Sequence, residues 1–440
     1  MHRREMIGAA MAGAAALVAK KDAAARETLA KASRGMPSPR IKDIRVISTM
    51  PQGTRLSVVK IITDQDGLHG YGCASFWFRA DLIGPAVENY LKPLLLGRAA
   101  DRIEDIWQLC YDSSYWKNGP VLNNAISGID QALWDIKGRQ AGMPVYQLLG
   151  GKAREAADAY RGVGGKTIPE TVENAKKLMA QGFRHVRVQT DPDLVYGATH
   201  GGPGVLHDKA VFNRGDYIRR TLALLEACRK ELGGEVELIH DVHERISVPQ
   251  AVQFTKDVEQ FRMFYLEDPL SPEDIAWYRN IRQQSSTPIS MGELFNSPHE
   301  WTPMITERLI DFMRMHVSQT GGLTPCRKVA AMGEIFNVRT AWHGPADVSP
   351  VGHAANLALA LSCTNFGVQE WSGFNDASLE IFRGAPELRN GYLYANEAPG
   401  WGIEVDEAAA LRHPYDRTDP LNGGWPGGEV RLPDGQVSKF

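Results

Sequence analysis

Val236–Glu237–Leu238–Ile239–His240–Asp241, Met263–Phe264–Tyr265–Leu266–Glu267 and Ile289–Ser290–Met291–Gly292–Glu293 are three short, mainly apolar runs, each ending on an acid. The acids Asp241, Glu267 and Glu293 are separated by 26 and 26 residues. An apolar run of this length, bounded by polar or turn residues, reads as a buried strand. A helical stretch fills most of each interval, so the repeat is a strand–helix unit. In a βα barrel, equivalent ends of successive parallel strands lie side by side on one face. The three carboxylates are therefore expected to converge. Converging carboxylates repel unless a cation stands among them, and an all-oxygen donor set suits a hard divalent ion such as Mg2+. One acid at a strand end is an ordinary cap or surface charge; three at a constant interval are harder to explain that way.

Working outward from this ladder, strands are expected over 158–161, 185–190, 235–241, 264–267, 289–293, 312–317, 339–343 and 367–370. These are the eight units of an α/β (β/α)8 barrel. Ahead of them the pattern is α+β: Ile44–Ile47, Leu56–Ile61 and Gly70–Ala74 read as strands, with a turn at Asp64–Gly67. An aromatic tip, Phe76–Trp77–Phe78, precedes helical stretches through 81–96, 103–111 and 123–140. The expected division is an export signal and connector over 1–40, a capping domain over 41–155 and a barrel over 156–384. A Gly- and Pro-rich segment over 385–440 is expected to pack back on the capping domain.

The 440-residue chain is ordinarily globular in composition, 43% hydrophobic and 23% charged. Its net charge of −3 is uneven. Residues 1–40 carry eight Lys/Arg against three Asp/Glu, a balance of +5 that leaves −8 for the rest. An acidic body argues against nucleic-acid binding, which needs a basic stripe. The five cysteines are scattered, with no CxxC, so neither a disulfide framework nor a zinc site is suggested. Arg3–Arg4 followed by the small and apolar run Met6–Ala19 has the form of a twin-arginine export signal. The expected location is thus periplasmic or otherwise exported, with a cytoplasmic protein as the alternative. No later segment is long and apolar enough to span a bilayer.

Several strand ends carry further chemistry. Alternation along a strand puts Asp241 and His243 on one face, and Arg187 and Gln189 on one face. His243, beside the acids, can give or take a proton near neutral pH. A guanidinium near a tyrosine favours the phenolate, so Arg187 can make Tyr196, in the following loop, a general base. His343 and Glu370 end the seventh and eighth strands on the face where barrels place active sites. His316, ending the sixth, is read as a packing residue.

These residues resemble the enolase superfamily, specifically its mannonate dehydratase subgroup of the mandelate racemase-like enzymes, over about residues 40–415. The resemblance is carried by Asp130–Gln131–Ala132–Leu133–Trp134–Asp135–Ile136–Lys137–Gly138, the Asp241/Glu267/Glu293 ladder, Leu266–Glu267–Asp268–Pro269, Gly321–Gly322–Leu323–Thr324 and Trp342–His343–Gly344. Where many relatives have Lys-x-Lys on the second barrel strand, this chain has Arg187–Val188–Gln189, and His316 replaces a sixth-strand Asp. Both differences match the subgroup. The resemblance implies Mg2+ held by Asp241, Glu267 and Glu293, and an Arg187–Tyr196 pair as base. It implies His243 as acid and His343 and Glu370 as substrate ligands, with Gln189 and Trp77 also facing the substrate. The subgroup's efficient mannonate enzymes have an Asn in the capping loop and a His after the first barrel strand. Here Trp77 and Gly162 stand there, which would remove polar contacts and, at Gly162, open space.

The expected reaction is metal-assisted β-elimination from a sugar acid. Tyr196 removes the C2 proton, His243 protonates the departing C3 hydroxyl, and a 2-keto-3-deoxy acid results. A racemase or epimerase on the same barrel shares the first step. A non-catalytic sugar-acid-binding or regulatory protein is the rival from another class, favoured by Trp77 and Gly162. The expected partners are a small sugar acid and further copies of the same chain, with no nucleic acid and no membrane after processing.

Overall fold

β1 (Ile41–Thr49), β2 (Leu56–Thr63) and β3 (His69–Cys73) form an antiparallel meander in register Ile44↔Ile61 and Val59↔Gly72. The computed structural model describes residues 23–24, 35–75, 77–189, 211–418 and 430–438. The paired arginines and most of the expected export signal lie outside the described residues. Helix Pro120–Ala141 covers the meander, starting on a proline and ending at Gly142 in the left-handed region. Helix and sheet touch backbone to backbone: a Cβ on Gly72 would stand 2.0 Å from the carbonyl oxygen of Gly128. Only glycine allows that approach.

Among the described residues, eight parallel strands then close on themselves. They are β4 (Ala157–Val163), β5 (His185–Val188), β6 (Glu237–Asp241), β7 (Tyr265–Glu267), β8 (Ile289–Met291), β9 (Phe312–Met313), β10 (Arg339–Trp342) and β11 (Phe366–Glu370). Each pairs with its neighbour in sequence, and β11 returns to β4 through Gln369↔Ala159 and Glu370↔Tyr160. The protein is therefore a (β/α)8-type barrel carrying an N-terminal α+β domain. Tyr160, Ile239, Tyr265, Phe312, Ala341 and Val368 fill the barrel interior. Several strands are shorter than the apolar runs predict. The sixth run is expected over 312–317, but only Phe312–Met313 is strand.

The two long motifs of the resemblance form the joint between cap and barrel. Asp130 accepts a hydrogen bond from the Thr324 backbone (2.9 Å), and Trp134 Nε1 donates to Thr324 Oγ1 (2.9 Å). Trp107 Nε1 donates to the Gly321 carbonyl (2.8 Å). The segment after residue 385 is shared between the two layers. β12 (Phe382–Arg383) precedes a hairpin of β13 (Glu387–Arg389) and β14 (Tyr392–Tyr394) that pairs antiparallel with the start of β4. Trp401 and the residues after it as far as His413 reach the cap: Trp401 Nε1 donates to the Tyr71 and Gln131 carbonyls, and Thr49 Oγ1 to the Ala410 carbonyl. The expectation that the whole segment packs on the capping domain is thus corrected for 387–394, because Gly391 and Gly182 let the hairpin close against the barrel, and for Arg431, which bridges to Val211 and accepts from the Phe212 backbone (2.7 Å). Among the described residues, no helix is long and apolar enough to cross a membrane.

Candidate active site

Asp241 and Glu267 are the last residues of β6 and β7 and are direct partners in the ladder. The end of β6 is held from behind: His240 Nδ1 bonds the Val188 carbonyl (2.8 Å) and its Nε2 pairs with the Tyr217 hydroxyl (2.8 Å). Glu293 lies two residues past β8, beyond Gly292. Gly292 has φ +139°, and a Cβ there would meet Met315 Sδ at 3.0 Å. Glycine makes the turn that aims Glu293 back at its neighbours. The loop is then fastened by Glu300, which accepts from the backbone of Asn296 (2.5 Å) and Ser297 (2.8 Å), and by Asn123 of the cap, which donates to the Asn296 carbonyl (2.7 Å).

The three carboxylates come together, each offering one oxygen within 4.8 Å of the others. Asp241 and Glu267 are fully buried. Neither Glu267 oxygen has a well-formed hydrogen bond. Burial, with further repulsion from nearby carboxylates, pushes Glu267 well above the usual carboxylate range and Glu293 to about 7. Asp241 goes the other way: burial opposes its ionisation, but His243, Arg187 and Arg314 together hold it far below the usual range.

Two guanidinium groups lie in the same cluster. Arg187 Nη1 is 3.3 Å from Asp241 and 3.7 Å from Glu267, and its Nη2 is 2.9 Å from Glu370. Arg314, fully buried, reaches Glu267 (2.7 Å), Glu293 (2.5 Å) and Glu370 (2.5 Å). Were a cation to draw the protons off Glu267 and Glu293, the four carboxylates and two guanidinium groups would leave two negative charges. One divalent cation carries the opposite charge, and the all-oxygen donor set suits Mg2+. The residues present fit that ion.

His243 lies just beyond β6, at φ +51°. Strand alternation therefore does not place it beside Asp241; a left-handed turn does. Its backbone donates to Asp241 Oδ1 (2.9 Å) and its Nε2 sits 2.7 Å from Asp241 Oδ2. Burial brings its pKa down to about 4, despite the favourable charge of Asp241. His343 Nε2 is 3.3 Å from Glu293 and 3.7 Å from Glu370. Glu370 accepts from Arg314 Nη2 (2.5 Å) and from the Gly344 backbone (3.1 Å) and pairs with Arg187 at 2.9 Å, so its carboxylate anchors the cluster.

Of the remaining expected site residues, Tyr196 lies outside the described residues. Gln189 follows β5, half-buried, its backbone donating to the Val163 carbonyl (2.9 Å). Trp77 is half-buried and stacks on Phe78, ring centroids 5.3 Å apart. The space expected over Gly162 is not simply open. A Cβ there would stand 3.3 Å from Arg187 Nε and Nη2, so the guanidinium takes part of the room a side chain would need.

His316 is fixed by the loop that the cap grips. Its Nδ1 accepts from the backbone of Ser318 (3.2 Å) and Gln319 (3.3 Å), which leaves the proton on Nε2. Its ring lies 4.9 Å from that of His343. Arg314 was legible in principle: a charge inside the apolar run Phe312–Met313–Arg314–Met315 needs buried acidic partners.

Two family models match the chain. Residues 170–409 match "Enolase C-terminal domain-like", and residues 35–150 match "Mandelate racemase / muconate lactonizing enzyme, N-terminal domain". A D-galactonate dehydratase family member from Enterococcus gallinarum (strain EG2) is 43% identical, covering 91% of this chain and 98% of its own. One from Salmonella enteritidis PT4 is 46% identical with the same coverage. A crystal structure of an enolase from Pantoea ananatis with bound D-gluconate and Mg superposes with a TM-score of 0.85 at 42% identity, covering 91% of this chain and 100% of that one. Fold and metal-type site define a member of the enolase superfamily. Within it, the chain belongs to the D-galactonate dehydratase family.

Proposed function

We propose that the protein is a Mg2+-dependent hydro-lyase that removes the C2 proton of a sugar acid and expels its C3 hydroxyl to give a 2-keto-3-deoxy acid. The observation that carries this reading is the convergence of Asp241, Glu267 and Glu293 beside His243 and Arg187 at the ends of neighbouring strands. The D-gluconate and Mg of the Pantoea ananatis structure, and the name shared by the relatives, support an aldonate as substrate. When bound, Mg2+ supplies positive charge where the substrate carboxylate becomes electron-rich after C2 deprotonation.

The chain's own groups do the rest. Arg187, kept charged by the surrounding acids, lowers the cost of a phenolate at Tyr196, which takes the C2 proton. His243 protonates the departing hydroxyl; this needs the imidazolium, which burial alone disfavours and the nearby negative charge of Asp241 and of a bound sugar carboxylate favours. The cluster is shut into the barrel, where such charges act more strongly than in water. The residues match the mannonate dehydratase pattern, yet Trp77 and Gly162 replace two polar contacts. The preferred acid therefore differs from mannonate in stereochemistry, or carries a bulkier or less polar distal end.

The test is a sugar-acid library with Mg2+, scored for 2-keto-3-deoxy product and for C2 proton exchange in D2O. Product from at least one aldonate is expected. Exchange without elimination across the library would instead favour an epimerase.

A further inference from the structure

Tyr160, on the first barrel strand, has no part in the chemistry described so far. It is fully buried inside the barrel, two residues before Gly162. Its hydroxyl oxygen accepts from Arg314 Nε (3.0 Å) and Arg314 Nη2 (2.8 Å). The Arg187 guanidinium lies 5.7 Å from the centroid of its ring. One neutral side chain thus touches both cations of the site.

The contacts of Arg314 show what the hydroxyl does. Nε donates to Tyr160 (3.0 Å) with Glu267 beside it at ion-pair distance (2.7 Å), and Nη2 is shared between Glu370 (2.5 Å) and Tyr160 (2.8 Å). A guanidinium has five N–H donors in a rigid fork. Without the phenol oxygen, two of these directions would have only carboxylates left to satisfy them. A carboxylate oxygen drawn into a stronger charge-assisted hydrogen bond is a poorer ligand for a metal ion. Glu267 belongs to both sets, so Arg314 and a divalent ion compete for it.

We propose that Tyr160 is a positioning residue for the metal centre: its hydroxyl holds Arg314 inside the barrel, so that the guanidinium neutralises Glu267, Glu293 and Glu370 without capturing the oxygens the ion needs. The proposal rests on the Mg2+ reading of the site. Burial, reinforced by the charges of Glu267 and Glu370, keeps the hydroxyl protonated, so it serves as a neutral acceptor rather than a fourth anionic ligand.

Calorimetric Mg2+ titration of the metal-stripped, full-length protein tests this. Tyr160→Phe removes one oxygen and keeps the ring under Arg187. Its Mg2+ dissociation constant should rise about tenfold, equivalent to about 1.4 kcal/mol. Its unfolding temperature without Mg2+ should stay near that of the wild type. Tyr146→Phe is the control, because it removes the same oxygen from a buried tyrosine whose hydroxyl pairs with Glu397, away from the cluster. It should leave the dissociation constant unchanged. An unchanged constant in Tyr160→Phe would overturn the proposal, as would an equal loss of thermal stability with and without Mg2+. If the Phe variant does not fold, Tyr160→Met, which also lacks the oxygen, is read by the same criteria. A wild-type protein that binds no Mg2+ would instead overturn the metal reading, before the variants are compared.

Discussion

Arg314 Nε stands 2.7 Å from Glu267 Oε1, and both side chains are fully shut off from solvent. A buried ion pair of this kind loses several kcal/mol when one partner is removed, on the order of 3–5. Here the two are also parts of a larger cluster, so the pair steadies the carboxylates before any ion arrives.

Glu267→Gln tests that cluster directly. It removes the central charge of the ladder and keeps the shape. Sugar-acid turnover should vanish, and Mg2+ affinity should fall by about 100-fold or more, the upper range for weakening a metal's surroundings. Thermal unfolding with and without Mg2+ should show the ion no longer stabilising the protein, with the circular dichroism spectrum unchanged. Wild-type turnover in this variant would remove the ladder from the metal site.

Acid and base separate by isotope exchange. Tyr196→Phe should lose C2 exchange in D2O and elimination together, each by about 10²–10⁴-fold. His243→Asn should slow elimination more than exchange, because the C2 proton can leave before the hydroxyl does. The reverse pattern would exchange the two roles.

The proposed specificity rests on Gly162, Arg187 and Trp77. With the guanidinium 3.3 Å from where a Cβ on Gly162 would stand, a histidine there would push Arg187 aside by a few tenths of an ångström. A substrate hydroxyl left without its partner costs on the order of 1–3 kcal/mol, or roughly ten- to hundredfold in kcat/KM. Mannonate should therefore be a poor substrate beside gluconate or a substituted aldonate. Efficient steady-state turnover of mannonate would refute this.

Acid lability should come partly from His353. This ring is fully buried, edge-on to Trp371 (5.1 Å) and Phe374 (5.2 Å), and burial lowers its pKa to about 4, against some relief from Glu370. Above pH 6.5 the imidazole is neutral in both states and adds no pH dependence. Between pH 6.5 and 4 the unfolded chain takes up a proton that the native state refuses, so stability falls as pH falls. The shift is worth at most about 3 kcal/mol. Urea unfolding at several pH values should show a shallower decline over that window in His353→Leu than in the wild type.

Export is read from Arg3–Arg4 and Met6–Ala19 alone. Fractionation of the native host should recover a shortened protein outside the cytoplasm. Finding only the full-length chain inside would exclude export.

The sequence by itself determined the barrel and its acidic ladder. Strand–helix alternation is a local, periodic signal, and an acid closing an apolar run points to the active end of the barrel whatever the partners turn out to be. The motifs around Asp130 and Gly321 were legible as residues, but not as the two faces of one joint. The tertiary structure alone decided how the charges pair. Arg314 meets Glu267, Glu293 and Glu370 because β9 closes beside β8 and the barrel brings β11 across from it. No spacing along the chain encodes those contacts. His243 and Glu293 reach the site through left-handed turns just past their strands, where alternation no longer predicts which way a side chain faces. In the sequence Tyr160 is only an aromatic within the expected strand 158–161; folding places its hydroxyl under a buried guanidinium. Pairing across a closed barrel is a long-range outcome, and the energy of a buried charge depends on those distant partners rather than on its neighbours in sequence.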